Sequence, residues 1–291
     1  MANKVRRLFK LAIGGFLLAV MTACSPLKML NAFTPDGTFD KTEGIAYGSD
    51  PRQKLDVYVP RHPMQNAPVV VFFYGGSWNS GSRGDYSFVG EALASRGIVA
   101  VLADYRLYPQ VRYPTFLEDN AKAVAWTHDH ISQFSGNPQR LYLMGHSSGA
   151  YNASMLALDP SVLGAVGMSP HDLSGWIGLA GPYDFLPIEN RDVRPVFFWP
   201  DSPPLSQPIN HVSRGAPPAL LMASRDDNLV NPTRNTGGLA RKLREAGVPV
   251  QDLYFSRTNH ATLVATLSRP LRRLAPVLDE VEGFIKTTPT Q

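Results

Sequence analysis

The segment Gly145-His146-Ser147-Ser148-Gly149 is the part of this 291-residue chain best suited to covalent chemistry. A serine hydroxyl becomes a useful nucleophile only when it stands clear of its surroundings and a base takes its proton. A sharp turn from strand into helix presents it in that way. The flanking glycines permit the turn, because a Cβ at either position would collide with neighbouring elements. The five-residue pattern is common by itself, but its setting is more demanding. An apolar run, Arg140 to Met144, leads into it, and a helical pattern from Ser147 to Leu158 leads out. Ser147 is therefore the expected nucleophile, with a chance strand-to-helix turn as the alternative. The hydroxyl of Ser148 sits off the centre of the motif, and its backbone N–H is expected to donate to the developing oxyanion.

Further oxyanion donors belong in the loop after an earlier strand, where Tyr74-Gly75-Gly76-Ser77-Trp78 stands. Gly75, Gly76 and Ser77 are the candidates there, and a simple turn is the bland alternative. Seven histidines compete for the role of base. His62 precedes the sheet. His128 and His130 lie two positions apart and so on different faces of a helix, where a metal pair needs three or four. His146 adjoins the nucleophile and is expected to point away from it. His171 and His211 fall in connecting segments and suit surface or packing roles. His260, in Arg257-Thr258-Asn259-His260-Ala261, follows the last strand.

The elements that position these groups alternate. Lys54 to Val59 has the period of a half-exposed strand. Pro68 to Tyr74, Ile98 to Ala103 and Arg140 to Met144 are continuous apolar runs ended by breakers, as strands buried on both faces are. Trp176 to Ala180, Ala219 to Ala223 and Val250 to Phe255 supply three more. Helical patterns fall between them at Ser87 to Ser95, Phe116 to Phe134, Ser147 to Leu158 and Thr233 to Ala246, with a last helix within Arg272 to Ile285. Such alternation predicts an α/β fold with a mostly parallel central sheet and helices on both faces. Phe185 to Gly215 breaks the rhythm with six prolines and reads as a short insertion over the sheet. Its Phe197-Phe198-Trp199 would line a substrate pocket or anchor the insertion.

Tyr74 to Trp78 resemble the His-Gly-Gly-x-Trp oxyanion signature of hormone-sensitive-lipase-like and feruloyl-esterase-like carboxylesterases of the α/β-hydrolase superfamily, with Tyr74 where the family has His. Asp104-Tyr105-Arg106-Leu107, with Tyr113-Pro114 and Glu118-Asp119 beyond it, is similar to a second block of those families; a structural ion pair is the preferred role for Asp104 and Arg106. The resemblance spans about residues 50 to 285. It implies the α/β-hydrolase fold, the chain order serine, acid, histidine, and His260 as the base. Ser224 to Val230 resembles the family's Gly-x-x-Asp-x-x-Val segment, which puts Asp227 in register with the catalytic acid and leaves Asp226 as the fallback.

The amino end reads as an address. Lys4, Arg6, Arg7 and Lys10 flank an apolar run of eleven residues from Leu11 to Met21, shorter than the ~20 needed to span a bilayer. Met21-Thr22-Ala23-Cys24 resembles a bacterial lipobox ending in the only cysteine, which would carry a lipid anchor; ordinary secretion is the alternative. The expected organisation is a signal peptide over 1–23, a tether over 24–42 and the hydrolase domain over 43–291, with the protein on the periplasmic side of a bacterial envelope membrane. Without the first ten residues the chain carries 24 basic against 24 acidic groups. A neutral domain gives no argument for nucleic-acid binding, which rests on basic groups displacing counterions. A chain 44 % hydrophobic and 18 % charged is folded, and its 24 glycines and 25 prolines exclude a coiled coil. No phosphate loop, HExxH helix or paired cysteine is present, so no cofactor or metal is expected. The expected function is serine carboxylesterase action on small esters through an acyl-enzyme. The alternatives are an arylformamidase-like amide hydrolase, a prolyl-oligopeptidase-like peptidase and a catalytically silent envelope lipoprotein of the same fold.

Overall fold

The computed structural model of the chain describes residues 26–62 and 66–288. Strands β1 (Phe39–Ala46), β2 (Lys54–Pro60), β3 (Ala67–Phe73), β4 (Val99–Ala103), β5 (Gly136–His146), β6 (Gly175–Leu179), β7 (Ala219–Ser224) and β8 (Val250–Phe255) form one sheet in the order β1-β2-β4-β3-β5-β6-β7-β8. Pairing is antiparallel from β1 to β2 and from β2 to β4, and parallel from there on. Every residue of β3, β4, β6 and β7 is buried, which is why these strands read as unbroken apolar runs.

The helices are α1 (Pro26–Leu30), α2 (Ser87–Ala94), α3 (Thr115–His130), α4 (Ser148–Leu158), α5 (Pro160–Gly164), α6 (Gly238–Glu245), α7 (His260–Ala265) and α8 (Val277–Thr287). The α/β-hydrolase architecture expected from the sequence is the one observed. Helix α4 is buried at all eleven positions, under the sheet's centre. The Pro-rich insertion forms short 3₁₀ turns at Arg194–Phe197, Pro204–Ser206 and Pro208–His211. It is tied down by side-chain amides. Asn235 Oδ1 accepts from the N–H groups of Tyr183 and Asp184, and Gln207 Oε1 accepts from that of Phe185.

Three differences from the sequence reading have physical causes. Residues expected as a tether over 24–42 include part of the fold: α1 and a 3₁₀ turn at Asn31–Phe33 pack on the body, and β1 begins at Phe39. An edge strand with a register shift between Thr42 and Ile45 loses the period of two that marks a strand in sequence. The fold thus includes residues upstream of 43, while Cys24 and residues 1–23, expected as a signal peptide, lie outside the described residues. The helix expected from Thr233 opens with a π-helical turn, Thr233–Gly237, before α6. Helix α7 is too short for its period to show. It is capped by Asn259, whose side chain accepts from Thr262 N–H.

Candidate active site

Strand β5 delivers Ser147 at φ 54° and ψ −123°, a conformation rare outside glycine, at the junction with α4. The turn persists because its neighbours leave it no alternative. A Cβ on Gly145 would lie 2.1 Å from Gly149 O, and one on Gly149 would lie 2.0 Å from Phe73 O. The Ser147 N–H donates to Leu179 O at 2.8 Å, which pins the turn to β6.

The loop after β7 supplies the carboxylate. Asp227 Oδ1 accepts from the N–H groups of Leu229 and Val230, both at 2.9 Å, while Oδ2 lies 2.8 Å from His260 Nδ1. Burial pushes the Asp227 carboxyl up, but its bond to His260, that ring's charge and the two backbone donors outweigh this and hold it below its ordinary value. Asp226 is exposed and Asp227 buried, so the register inferred from the family segment places the buried carboxylate at the histidine. At the first residue of α7, His260 Nε2 lies 2.8 Å from Ser147 Oγ. An ionised Asp227 requires Nδ1–H, and Nε2 is then the acceptor for the serine proton. Residues 147, 227 and 260 thus meet in one hydrogen-bonded line.

Among the described residues His146 makes no hydrogen bond to Ser147, but it is not idle. Its Nε2 donates to the carbonyl of His260 at 3.0 Å, and the two rings lie 5.2 Å apart. Burial, and secondly the nearby His260, pushes its pKa down to about 3. The other histidines lie elsewhere. His171 is exposed and His211 half-buried, and His128 and His130 sit at the last turn of α3. Among the described residues no cluster of His, Cys, Asp or Glu is arranged to hold a metal.

The glycine loop after β3 bends sharply. Gly76 has φ +139°, and a Cβ there would lie 2.2 Å from Ser80 O; Ser77 and Trp78 follow at φ 52° and 58°. Gly75 gives close approach, since its Cβ would sit 2.9 Å from Ser147 Cβ. Among the described residues the N–H groups of Gly76, Ser77 and Ser148 have no protein partner. Trp78 anchors the loop: Nε1 donates to buried Asn152 at 2.9 Å, and the ring meets Tyr151 and Phe197 edge-on at 5.0 and 4.8 Å. Tyr74, standing where the family has His, supports it from below. Its ring stacks on Tyr105 at 4.7 Å and its hydroxyl accepts from Arg52 at 2.6 Å.

Asp104 and Arg106 do not pair with each other. Asp104 holds Arg83, and Arg106 grips Asp119 through Nε and Nη2 at 2.8 and 2.6 Å. Phe197 anchors the insertion, while Phe198 and Trp199 are exposed beneath the guanidinium groups of Arg112 and Arg194.

Two cavities meet at Ser77, Ser147, Leu229 and His260. The first, about 320 Å³, takes its far wall from the insertion and the segment after Asp227, including Asp184, Glu189, Asn190, Asn231 and Arg234. Arg234 forms a bidentate pair with Asp184 at 3.1 and 3.0 Å. The second, about 350 Å³, is bounded by the glycine loop, Tyr86, His146 and Leu27. Sequence reasoning missed these lining residues, which carry no motif; the fifty-residue gap between Asp184 and Arg234 gives no local signal.

Comparison with known proteins yields a match to the family BD-FAE over residues 55–243. The probable isoprenylcysteine alpha-carbonyl methylesterase ICMEL1 of Arabidopsis thaliana is 27 % identical over 78 % of this chain and 52 % of its own length. The kynurenine formamidase of Salmo salar is 30 % identical over 69 % of this chain and 65 % of its own. The chain spans about half the length of the first of these relatives. Among solved structures, an esterase of Pyrobaculum calidifontis superposes with a TM-score of 0.72 at 19 % identity, covering 91 % of this chain and 90 % of that one.

Proposed function

Because the chain belongs to the BD-FAE family, with the α/β-hydrolase fold, we propose that it is a serine carboxylesterase acting on small esters through an acyl-enzyme. The observation that carries the reading is the pair of 2.8 Å contacts linking Asp227, His260 and Ser147. His260 Nε2 takes the Ser147 proton as Oγ attacks the ester carbonyl. The imidazolium is stabilised by Asp227 and returns the proton to the departing alcohol. Water, deprotonated by the same nitrogen, then releases the acid. The N–H groups of Gly76, Ser77 and Ser148 hold the oxyanion, with Gly75 permitting their approach. In comparable sites loss of one such donor costs ~2.7–4 kcal/mol of transition-state stabilisation. A catalytically silent role would leave the hydrogen-bonded line without a purpose.

The test is hydrolysis of p-nitrophenyl acetate by the unaltered chain and by Ser147→Ala. The expected result is turnover by the first and a loss on the order of 10⁴-fold or more in the second. Equal turnover overturns the assignment. A second reading, cleavage of a formamide, has the fish kynurenine formamidase in its favour. N-formylkynurenine assayed beside the p-nitrophenyl ester decides between them. For the amino end we infer a signal peptide and a lipid anchor at Cys24. The support is the basic flank, the eleven-residue apolar run and the small residues before the cysteine. That arrangement puts the domain on the periplasmic side of a bacterial envelope membrane, where a diacylated cysteine gives stable attachment.

A further inference from the structure

An ester has two halves, and two cavities meet at the reacting atoms. Their walls differ in chemistry. The first sets the Asp184–Arg234 pair, Glu189, Asn190 and Asn231 beside apolar residues, Trp78, Phe185, Ile188 and Val193. In the second, Asp85 Oδ2 accepts from the N–H and hydroxyl of Ser82, both at 3.0 Å. Around it stand the glycine loop, Tyr86, His146 and two leucines, Leu27 and Leu229. Leu27 comes from far away in sequence, on α1, in the stretch expected to be a tether.

The segment after α1 is fastened to the floor of this cavity. Asn31 Nδ2 donates to Gly84 O at 2.7 Å, and its Oδ1 accepts from Phe88 N–H at 3.2 Å. Gly84 belongs to the 3₁₀ turn Arg83–Tyr86, which carries the cavity residues Asp85 and Tyr86. Leu27 is half-buried against the core and Leu30 packs beside it. Among the described residues the segment is held by these two hydrogen bonds and a small apolar contact, far less than holds the sheet.

We propose that Leu27, on α1, walls a second substrate subsite and sets the size of the apolar ester half, aliphatic or aryl, that the subsite admits. This rests on the esterase reading of the same site. The first cavity receives the other half of the ester. Asn31 is a positioning residue in this scheme: it touches no substrate and acts by keeping Leu27 in place.

The experiment uses the full chain, Leu27→Trp, Leu27→Ala, Asn31→Ala and, in the first cavity, Ile188→Trp. Each is assayed on two ester series, one lengthening the acyl chain on p-nitrophenol and one enlarging the alcohol of an acetate. Leu27→Trp is expected to raise KM at least tenfold for the larger members of one series relative to the smallest ester of that series. Leu27→Ala and Asn31→Ala are expected to shift the optimum of that same series to larger groups. Ile188→Trp should act on the other series. Chain-size profiles unchanged by both Leu27 variants, on an active chain, overturn the proposal, as does a Leu27→Trp effect confined to the series that Ile188→Trp controls. Absence of turnover with every ester in the unaltered chain overturns the esterase reading instead.

Discussion

Replacing Asp227 by asparagine changes one atom and should reverse the direction of a proton. Asp227 Oδ1 accepts two backbone N–H groups at 2.9 Å, so an asparagine must keep its carbonyl oxygen there. Turning the amide round would set an NH₂ against both donors. Its Nδ2 then takes the place of Oδ2, 2.8 Å from His260 Nδ1, and two donors cannot share that contact. The imidazole must move its proton to Nε2, where it faces Ser147 Oγ as a donor and no longer accepts. The equivalent change in serine proteases lowers kcat by about 10⁴ with the geometry intact. At ~1.36 kcal/mol per decade that is about 5.4 kcal/mol of lost transition-state stabilisation. The assay is kcat/KM on p-nitrophenyl acetate, with the thermal midpoint measured alongside to show that the fold persists. Asp226→Asn is the control, since its carboxylate is exposed, and should stay within twofold of the unaltered chain. Activity of Asp227→Asn within tenfold of the unaltered protein, or an equal loss in Asp226→Asn, would refute the tautomer argument.

Two other outcomes follow from the structure. Burial holds His146 neutral in the folded chain down to about pH 3, whereas the unfolded chain takes up that proton near 6.5. Its contribution to stability is therefore undiminished above about pH 6.5 and falls as the pH drops toward 3. A glutamine can keep an amide nitrogen on the His260 carbonyl without titrating. His146→Gln should show a shallower fall of thermal midpoint between about pH 6.5 and pH 4, and parallel curves would count against the assignment. Cys24→Ala, expressed in a bacterial envelope, should move the protein from the membrane to the soluble fraction; unchanged retention on membranes would remove the lipid anchor.

The legible part of the site was the part written locally. Ser147 and Asp227 each follow a buried apolar strand closely, and strand ends are what the hydrophobic pattern locates best, while His260 follows the partly exposed β8 and was reached through the family resemblance. The glycine pair was visible for the same reason, since a turn after β3 demanded it. Pairings across the sheet were not. Asp104 and Arg106 are two residues apart and invite a bond, yet Arg83 lies closer to one and Asp119 to the other once the loops fold. The family segment's register chose Asp227 over Asp226 and burial agrees with it, whereas the strand pattern alone offers nothing to distinguish adjacent carboxylates. Leu27 was invisible because a five-residue helix shows too little of its 3.6-residue period, and its place at the cavity depends on Asn31 reaching a turn more than fifty residues away.

The irregularity in β1 also governs what this sheet offers to other molecules. An outermost strand presents unpaired backbone groups on which a second chain can template itself and grow into a fibre. Here the shift between Thr42 and Ile45 interrupts that row, the freed N–H of Gly44 is turned inward to Asp56 at 2.8 Å, and Asp40, Lys41 and Glu43 add charge. A stretch that begins eight residues after Asn31 is thus a poor template for strand addition.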